Sequence, residues 1–341
     1  MAEFLRDHTT LRLGGPARSW VRATTPEELV DAVRTCDEAG EPVLVLAGGS
    51  NVVVADEGFA GTVVEVATTG ISADHQGDDP ICGGVVVTVA AGEPWDPFVA
   101  AAVERGWVGL EALSGIPGSV GATPIQNVGA YGEEISQTLA SVRVWDRVLR
   151  GVRTFAAADC RFGYRTSRFK ADPGRHVVLE VVLQLRQGEL GAPVQYAELA
   201  SALGVEVGSR APMVDVRRAV LELRRGKGMV LDAADHDTWS AGSFFTNPVV
   251  AAADVPEGAP AWPQEDGVKT SAAWLTEQAG FGKGYGEGAA RLSTKHALAL
   301  TNRGGATTGE LLSLAREIRD GVEARFGIRL VHEPVLVGCA L

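Results

Sequence analysis

The chain has 341 residues, of which 45% are hydrophobic and 22% charged, and its formal net charge at pH 7 is -12. The length predicts more than one domain, and an acidic chain without a basic stripe argues against nucleic-acid binding. No run of eighteen apolar residues occurs, and the N-terminal MAEFLRDHTTLRLGG lacks the apolar core of a secretory signal, so we expect neither membrane insertion nor secretion.

The first predicted helix begins after Thr25, whose hydroxyl can cap it, with Pro26 at the first helical position and Glu28 completing a capping box. Apolar residues follow at helical spacing until Gly40 ends the helix. Short apolar runs then predict buried strands at 43–47, 52–54 and 62–66. The opening residues therefore predict a small αβ unit with a glycine-rich turn, Gly48 to Asn51, between two of its strands.

The middle of the chain is predicted to be rich in strands, which fall at 85–91, 142–145 and 177–185. One helix, from Pro97 to Glu104 and closed by Gly106, interrupts them. The stretch GLEALSGIPGSVGATPIQNVGAYG, residues 109–132, is dense in glycine, serine, proline and asparagine. Long ordered loops of this kind usually bind a ligand.

The last part of the chain predicts a third αβ block. A helical segment from about Tyr196 to Arg225 precedes it, with apolar positions at Val214, Val216, Ala219, Val220 and Leu223. Later predicted elements are a helix at 272–279, a strand at 297–300, a long helix at 309–326 and a final strand at 330–337. The buried face of the long helix is predicted to carry Leu311, Leu312, Ala315, Ile318, Val322 and Phe326.

The four cysteines, Cys36, Cys82, Cys160 and Cys339, are far apart in the sequence and form no C-x-x-C pair. A zinc site is therefore not expected, and we expect reduced thiols in a cytoplasmic protein. The chain also lacks a P-loop and an H-E-x-x-H motif. GYGEGA at 284–289 matches a dinucleotide fingerprint only weakly, because it neither follows a strand nor opens a clear helix.

Two glycine-rich turns favour a phosphate ligand. Gly48 to Asn51 and Ser114 to Gly121 both present backbone N–H groups beside hydroxyls, an arrangement typical of anion-binding nests. Taken alone, the first could be a turn between strands and the second a loop stiffened by Pro117. Two such turns without a kinase or Rossmann signature favour a dinucleotide held from two sides.

Five patterns occur in a fixed order: GGSN at 48–51, SGIPGSVGATPIQNVGAYG at 114–132, YRTSRFK at 164–170, AGSFFTNP at 241–248 and a late Glu333. Together they resemble the UDP-N-acetylenolpyruvoylglucosamine reductase family, in the form that carries a tyrosine in a substrate loop. The resemblance runs from about His8 to Gly338. It departs at His332-Glu333-Pro334, where the family glutamate usually follows a residue like proline and precedes valine. Glu333 is nevertheless the one acid after Glu323.

The resemblance implies an α+β chain with an FAD-binding fold of the vanillyl-alcohol-oxidase (PCMH) type. The implied divisions are FAD-binding subdomains at 1–66 and 67–221, with the FAD-binding region at about 13–188. A substrate-binding domain would follow at 222–329, and a C-terminal strand at 330–341 would return to the active site.

The activity implied is the NADPH-dependent reduction of UDP-N-acetylglucosamine enolpyruvate to UDP-N-acetylmuramate through noncovalent FAD. This step belongs to peptidoglycan precursor synthesis and so serves cell wall biogenesis, cell shape and cell division. We expect a cytoplasmic monomer whose partners are this substrate and NADPH.

The resemblance assigns the chemistry to Arg165, Ser243 and Glu333. An arginine fits a carboxylate in a bidentate way and stabilises charge that develops as an enolate. Ser243 would protonate the adjacent carbon, and Glu333 would donate a hydrogen bond as a neutral acid or hold one of the others in place. We expect the three side chains to converge beside the flavin. Without the resemblance, a surface ion pair, a turn serine and a strand-end carboxylate are the ordinary interpretations.

The remaining site residues follow from the same motifs. Those implied for the cofactor are Gly48, Gly49, Ser50, Asn51, Ser114, Gly115, Ile116, Pro117, Gly118, Ser119, Gly121, Ala122, Asn127, Gly129, Ala130 and Tyr131. Those implied for the substrate are Tyr164, Tyr196, Lys227, Asn247 and His296. Lys227 suits a diphosphate but also a solvated helix end, and a lone histidine is more often structural.

Two other functions compete with the reductase. An FAD-dependent oxidase of the same fold, acting on an alcohol or sugar, would keep both glycine turns but lose the Gly-Ser-Phe-Phe-x-Asn-Pro pattern. A noncatalytic nucleotide-binding protein would have no need of Arg165, Ser243 and Glu333 together.

Overall fold

The computed structural model describes residues 3–75 and 84–341, which form two compact units. The terminal unit contains both ends of the chain and comprises residues up to 18, residues 49–60 and residues 226–341. The central unit comprises residues 19–48 and 61–225. Each unit has its own apolar core.

The central unit begins with one helix and a small sheet. The helix is α1 (Pro26–Ala39), and the strands are β1 (Ala17–Ala23), β2 (Val43–Leu46) and β4 (Phe59–Val66), in the order β1-β4-β2. Thr25 caps α1 as predicted by accepting the N–H of Glu28, and Gly40 ends it at φ +65°. The Glu28 carboxylate, however, accepts the N–H and hydroxyl of Thr24. The predicted box is therefore displaced by one residue, because the carboxylate reaches past the cap.

A larger antiparallel sheet follows in the central unit. Its strands are β5 (Ile71–His75), β6 (Gly84–Ala90), β7 (Trp107–Val108), β10 (Leu139–Asp146), β11 (Gly151–Ala156) and β12 (His176–Gln187). The order is β11-β10-β12-β6-β5, and β7 pairs with β12. Along β6, Val85, Val87 and Val89 are fully buried and alternate with less buried residues. This period of two puts one face of the sheet into the core.

The helices of the central unit are α2 (Trp95–Glu104), α3 (Arg168–Ala171), α4 (Ala197–Leu203) and α5 (Met213–Gly226). The prediction of one helical segment from Tyr196 to Arg225 was wrong, because the helical conformation is interrupted between α4 and α5. Gly204 takes a left-handed φ of +67°, which ends α4, and the break continues to Pro212. Val214 is also 64% exposed, whereas Val216 and Val220 are buried as predicted.

The long loop predicted at 109–132 contains short ordered elements. Two 3-10 turns occur at Glu111–Leu113 and Val120–Ala122. Strands β8 (Gly129–Ala130) and β9 (Glu133–Glu134) pair around its end. This loop is therefore stabilised along much of its length by local hydrogen bonds.

The terminal unit combines short strands with two helices. Strand β3 (Val52–Val54) pairs in parallel with β18 (Val335–Val337), and three strands, β13 (Val249–Val250), β14 (Ala261–Gln264) and β15 (Gly267–Thr270), form a second sheet. The remaining elements are α6 (Ala272–Gln278), β16 (Ala290–Leu292), β17 (Leu300–Asn302) and α7 (Thr308–Phe326). A complete capping box of Thr307 and Glu310 begins α7.

Two predicted strands of the terminal unit are displaced. The strand predicted at 297–300 lies at Leu300–Asn302, because a turn in which Ala299 N–H bonds the carbonyl of His296 precedes it. The final strand predicted at 330–337 is confined to Val335–Val337, while His332 forms an isolated bridge with Phe245. On α7 the predicted buried face is confirmed, except that Phe326 is only partly buried.

Three cysteines of the described chain, Cys36, Cys160 and Cys339, are free thiols, and Cys82 lies outside the described residues. Burial raises the pKa of Cys160 to about 11, which makes that thiol inert at neutral pH. Within residues 3–75 and 84–341, no group of three or more His, Cys, Asp or Glu side chains could hold a metal ion. No helix in those ranges is both long and apolar enough to span a bilayer.

Candidate active site

The two predicted glycine turns meet inside the central unit, where Gly48 lies against Gly118. A Cβ on Gly48 would come within 2.7 Å of the Gly118 Cα atom, and one on Gly121 within 2.5 Å of the Ala91 Cβ atom. Gly115 and Gly118 have φ values of +74° and +111°. Glycine is required here both for the close backbone approach and for the left-handed conformation.

The hydroxyl of Ser119 is the clearest sign of a ligand in this loop. Ser119 is 4% exposed, and its Oγ atom has no hydrogen-bond partner among the described residues. A buried hydroxyl without a partner costs free energy. A phosphate oxygen is an acceptor that would satisfy it, so the loop fits the phosphates of a dinucleotide.

Several backbone N–H groups of the loop already donate hydrogen bonds to acceptors within the protein. Gly115 N–H donates to Asp96 at 2.6 Å, Gly121 N–H donates to the carbonyl of Ala91, and Ala122 N–H donates to that of Ser119. These bonds fix the conformation of the loop but leave those N–H groups engaged. The hydroxyl of Ser119 is therefore better placed to bind an anion than these three N–H groups are.

The rest of the first turn lies in the terminal unit. A Cβ on Gly49 would lie 1.9 Å from the carbonyl oxygen of His8, and its own carbonyl accepts the N–H of Thr10. The carbonyl of Asn51, at the end of the turn, accepts the N–H of Val335. Residues 49–51 of the turn are thus held by backbone contacts.

Asn127 is predicted to bind the cofactor, but its side chain cross-links the loop. It donates to the Glu134 carboxylate at 2.7 Å and to the Gly163 carbonyl at 3.2 Å, and it accepts the N–H of Ser136. Its φ of +50° is unusual for a residue other than glycine. The structure thus gives Asn127 a role in shaping the loop.

Arg165 lies in the central unit in a strained conformation, with φ +52°. Reciprocal backbone hydrogen bonds between Gly163 and Thr166 close a tight turn around it. Its Nη2 atom donates to the carbonyl of Gly129 at 2.9 Å, and its guanidinium lies 5.9 Å from the ring centroid of Tyr164. The structure thus joins Arg165 to the predicted cofactor loop at Gly129 and to the predicted substrate residue Tyr164.

Arg224 is a cation whose place in this region the sequence analysis missed. It interacts electrostatically with Tyr131, Asp96 and Arg165, and burial lowers its pKa to about 10. The sequence offered one signal for the burial of Arg224. It lies four residues after the buried Val220 and so falls on the same face of α5. Burial likewise raises the pKa of Tyr131 to about 12, so its phenol stays neutral.

Tyr196 is predicted to cover the substrate and lies in the central unit just before α4. Its ring is 50% exposed and meets the ring of Tyr131 edge to face, at 6.0 Å between centroids. The structure therefore brings a predicted substrate residue against a predicted cofactor residue.

Ser243 and Glu333 lie on neighbouring segments of the terminal unit. Gly242 has φ +73°, and the half-buried Ser243 follows it. The N–H of Glu333 donates to the carbonyl of Phe244 at 2.8 Å, and Phe245 forms a bridge with His332. Two residues that are far apart in the sequence are therefore held side by side through backbone hydrogen bonds.

Three predicted substrate residues lie in the terminal unit, and one of them, His296, supports the Ser243 segment. His296 Nδ1 accepts the N–H of Leu298 at 3.0 Å, and the Leu298 carbonyl accepts the N–H of Phe244. The Asn247 side-chain oxygen accepts the N–H of Ala272, near the start of α6. Lys227 is half-buried just beyond the end of α5.

Comparison with known proteins defines the class first. Residues 17–148 match the family model described as FAD binding domain, and the predicted α+β fold class, with an FAD-binding fold of the vanillyl-alcohol-oxidase type, is confirmed. The chain is accordingly an FAD-dependent oxidoreductase. Residues 234–337 match the model described as UDP-N-acetylenolpyruvoylglucosamine reductase, C-terminal domain.

Relatives that match over most of the chain define the family. A UDP-N-acetylenolpyruvoylglucosamine reductase from Cutibacterium acnes is 60% identical over 98% of this chain and 89% of that protein. One from Thermobifida fusca is 57% identical over 99% and 97%. The crystal structure of the Thermus caldophilus reductase covers 99% of this chain and 98% of its own, at 26% identity and a TM-score of 0.67. The chain belongs to the UDP-N-acetylenolpyruvoylglucosamine reductase family.

Proposed function

We propose that the protein reduces UDP-N-acetylglucosamine enolpyruvate to UDP-N-acetylmuramate, with NADPH as the hydride donor. The observation that carries this proposal is the 60% identity, over 98% of the chain, to a relative named as this reductase. The proposed setting is peptidoglycan precursor synthesis by a cytoplasmic monomer, in support of cell wall biogenesis, cell shape and cell division.

Noncovalent FAD is the cofactor that the central unit fits. The Ser119 hydroxyl and the glycine contacts of Gly48, Gly118 and Gly121 support binding of its phosphates. When bound, the flavin supplies a two-electron carrier between NADPH and the substrate. The proposed cofactor residues remain those of the two glycine turns and of the segment from Asn127 to Tyr131.

The proposed role of Arg165 is to bind the substrate carboxylate and stabilise the charge that develops when hydride reaches the vinyl carbon. A guanidinium is always protonated, and its planar fork matches a carboxylate. The bond from its Nη2 atom to the Gly129 carbonyl supports this role, since it orients the side chain.

Ser243 is proposed to donate a proton to the carbon that bore the enolate charge. A hydroxyl is a weak acid, so it can serve only a strongly basic intermediate. Glu333 is proposed to hydrogen-bond the developing charge or orient Ser243. The bond from Glu333 N–H to the Phe244 carbonyl supports this pairing.

Lys227, Tyr164, Tyr196, Asn247 and His296 are proposed to bind the UDP-sugar. Lys227 offers a point charge for the diphosphate, and Tyr196 offers an exposed ring that can stack or hydrogen-bond. The proposed divisions are FAD-binding subdomains at 1–66 and 67–221, a substrate-binding domain at 222–329 and a C-terminal strand at 330–341.

An anaerobic titration tests the proposal. Purified holoprotein should lose its flavin absorbance near 450 nm when NADPH is added, and should regain it when UDP-N-acetylglucosamine enolpyruvate is added. Reoxidation by oxygen but not by the enolpyruvyl nucleotide would instead identify an oxidase and overturn the proposal.

A further inference from the structure

A buried carboxylate precedes the predicted phosphate-binding loop. Glu111 is 1% exposed and begins the 3-10 turn Glu111–Leu113, which leads into Ser114. Its Oε2 atom accepts the N–H groups of Gly109 and Leu110 at 2.7 and 3.0 Å. The Ser114 hydroxyl donates to the Glu111 carbonyl at 2.7 Å. Such a carboxylate stabilises the start of the loop because buried N–H groups need acceptors.

The other oxygen of Glu111 binds a remote part of the chain. Its Oε1 atom accepts the N–H of Ala192, on the segment that leads to Tyr196. A Cβ on the neighbouring Gly191 would lie 2.5 Å from that same oxygen. The Ala192 segment can therefore approach the carboxylate only because residue 191 has no side chain.

A second buried carboxyl reinforces the same turn. Glu133 is 7% exposed, and its Oε2 atom accepts the N–H of Ala112 at 3.2 Å. Glu133 lies on β9, immediately after Tyr131 and Gly132, at the far end of the predicted cofactor loop. Glu111 thus binds the residues just before this turn, and Glu133 binds the turn itself from the far end of the loop.

The Tyr196 segment packs on the same turn through apolar contacts. Ala112, Val194 and Leu199 belong to one buried cluster. The Tyr131 ring meets the Tyr196 ring, as described above. The two carboxyls therefore lie at the place where the cofactor loop and the Tyr196 segment join.

We propose that Glu111 and Glu133 are positioning residues that hold the flavin-binding loop and the Tyr196 segment in a fixed position relative to each other. This inference rests on the proposed function, because that function assigns the loop to FAD and Tyr196 to the substrate. The pair acts through the backbone and touches neither ligand.

Glu133 keeps its proton at neutral pH. Burial, followed by the proximity of Glu111, raises the pKa of Glu133 to about 8. The Glu111 carboxylate accepts three backbone N–H groups, from Gly109, Leu110 and Ala192. Among the described residues Glu111 is the charged group that faces Glu133, whereas Glu198 and Arg224 face Tyr131.

Glutamine substitutions test the two carboxyls one at a time, because glutamine has the shape of glutamate but carries no charge. In Glu111→Gln the amide NH2 group must face a backbone N–H, so the Kd for FAD should rise about tenfold or more. The KM for the enolpyruvyl nucleotide should rise by a larger factor than kcat falls. In Glu133→Gln the side chain can still accept the Ala112 N–H but has no proton to lose, so this variant isolates the effect of alkaline pH. Glu180→Gln, a partly exposed partner of Arg143, is the matched control and should change neither quantity.

A glycine variant tests the same contact without removing a charge. In Gly191→Ala the new methyl group displaces Ala192 from Glu111, so the KM for the nucleotide should rise while both carboxyls remain. Gly151→Ala is its control, because among the described residues a Cβ there comes within 4 Å of the Leu149 carbonyl oxygen alone, at 3.8 Å. This pair keeps the test valid even where Glu111→Gln does not fold.

The pH dependence of flavin affinity completes the test. The Kd for FAD, measured by flavin fluorescence without substrate, should rise in the wild type above about pH 8 and stay flat in Glu133→Gln. Wild-type Kd and KM values in both Glu111→Gln and Gly191→Ala would overturn the inference, as would an unchanged alkaline rise in Glu133→Gln. A wild-type protein that binds no FAD would instead overturn the proposed function.

Discussion

The central and terminal units hold their predicted functional residues in different ways. In the central unit, carboxylates such as Asp96 and Glu111 bind the backbone of the cofactor loop. In the terminal unit, Ser243 and Glu333 lie on segments joined by backbone hydrogen bonds beside the buried Phe244 and Phe245. Changing a carboxylate that binds the cofactor loop should therefore disturb cofactor binding in the central unit, whereas changing Ser243 or Glu333 in the terminal unit should mainly disturb the chemistry.

The largest effect is expected from Ser243→Ala. Because backbone bonds hold this segment, the variant should bind FAD and accept hydride from NADPH normally. Reoxidation by the enolpyruvyl nucleotide should slow by about 10²–10³ or more, since a proton donor is lost. Stopped-flow absorbance near 450 nm measures both half-reactions. Ser313→Ala, on the exposed face of α7, is the control. Unchanged reoxidation would remove Ser243 from the mechanism.

Arg165→Lys tests a side chain of the central unit that is proposed to act on the substrate. Lysine keeps the charge but loses the planar fork that binds a carboxylate, so kcat/KM should fall by about ten- to a hundredfold. The loss of the Gly129 contact should also weaken FAD binding slightly. Steady-state kinetics and flavin titration measure the two effects, with Arg143→Lys as the control for an exposed ion pair. A normal kcat/KM would contradict the proposed role.

Asp96→Asn should weaken FAD binding about tenfold, with little change in kcat at saturating FAD. Asp96 accepts the N–H of Gly115 and binds Arg217 through two hydrogen bonds, at 2.6 and 2.9 Å. Removing its charge leaves a partly buried guanidinium poorly paired. Fluorescence titration gives the Kd, and Asp320→Asn, which changes an exposed acid paired with Arg319 in the terminal unit, is the comparison. Equal Kd values in the two variants would break the contrast between the units.

A further effect is expected in stability against pH. The pKa of Glu133 is raised by burial from 4.5 to about 8, so the unfolded chain loses this proton at lower pH than the folded chain does. Its contribution to the free energy of unfolding is therefore complete below pH 4.5 and declines as pH rises to about 8. One proton can change that free energy by at most about 1.4 kcal/mol per pH unit. Chemical denaturation of wild type and Glu133→Gln should diverge across this window, and parallel curves would refute the assignment.

Local sequence predicted the elements whose ends are set by nearby residues. Thr25 caps the start of α1 and Gly40 ends it, and Thr307 caps the start of α7. These signals succeed because a cap binds N–H groups within one turn of itself. The prediction of one helix at 196–225 failed for a related reason. The apolar spacing continues through the segment, but the helix is interrupted between Gly204 and Pro212.

The ordered motifs identified the family and both glycine turns, since glycine at 48, 118 and 121 is dictated by backbone space. The sequence by itself thus determined the fold class and the family, and it predicted the residues of the site. Only the tertiary structure decided that Glu333 N–H binds the Phe244 carbonyl, that Arg165 is held at φ +52°, and that Glu111 binds Ala192. The first and the last depend on segments distant in sequence being brought together by packing, which no local pattern encodes. The φ of Arg165 is set by the tight turn between Gly163 and Thr166, whose form the residue types alone do not specify.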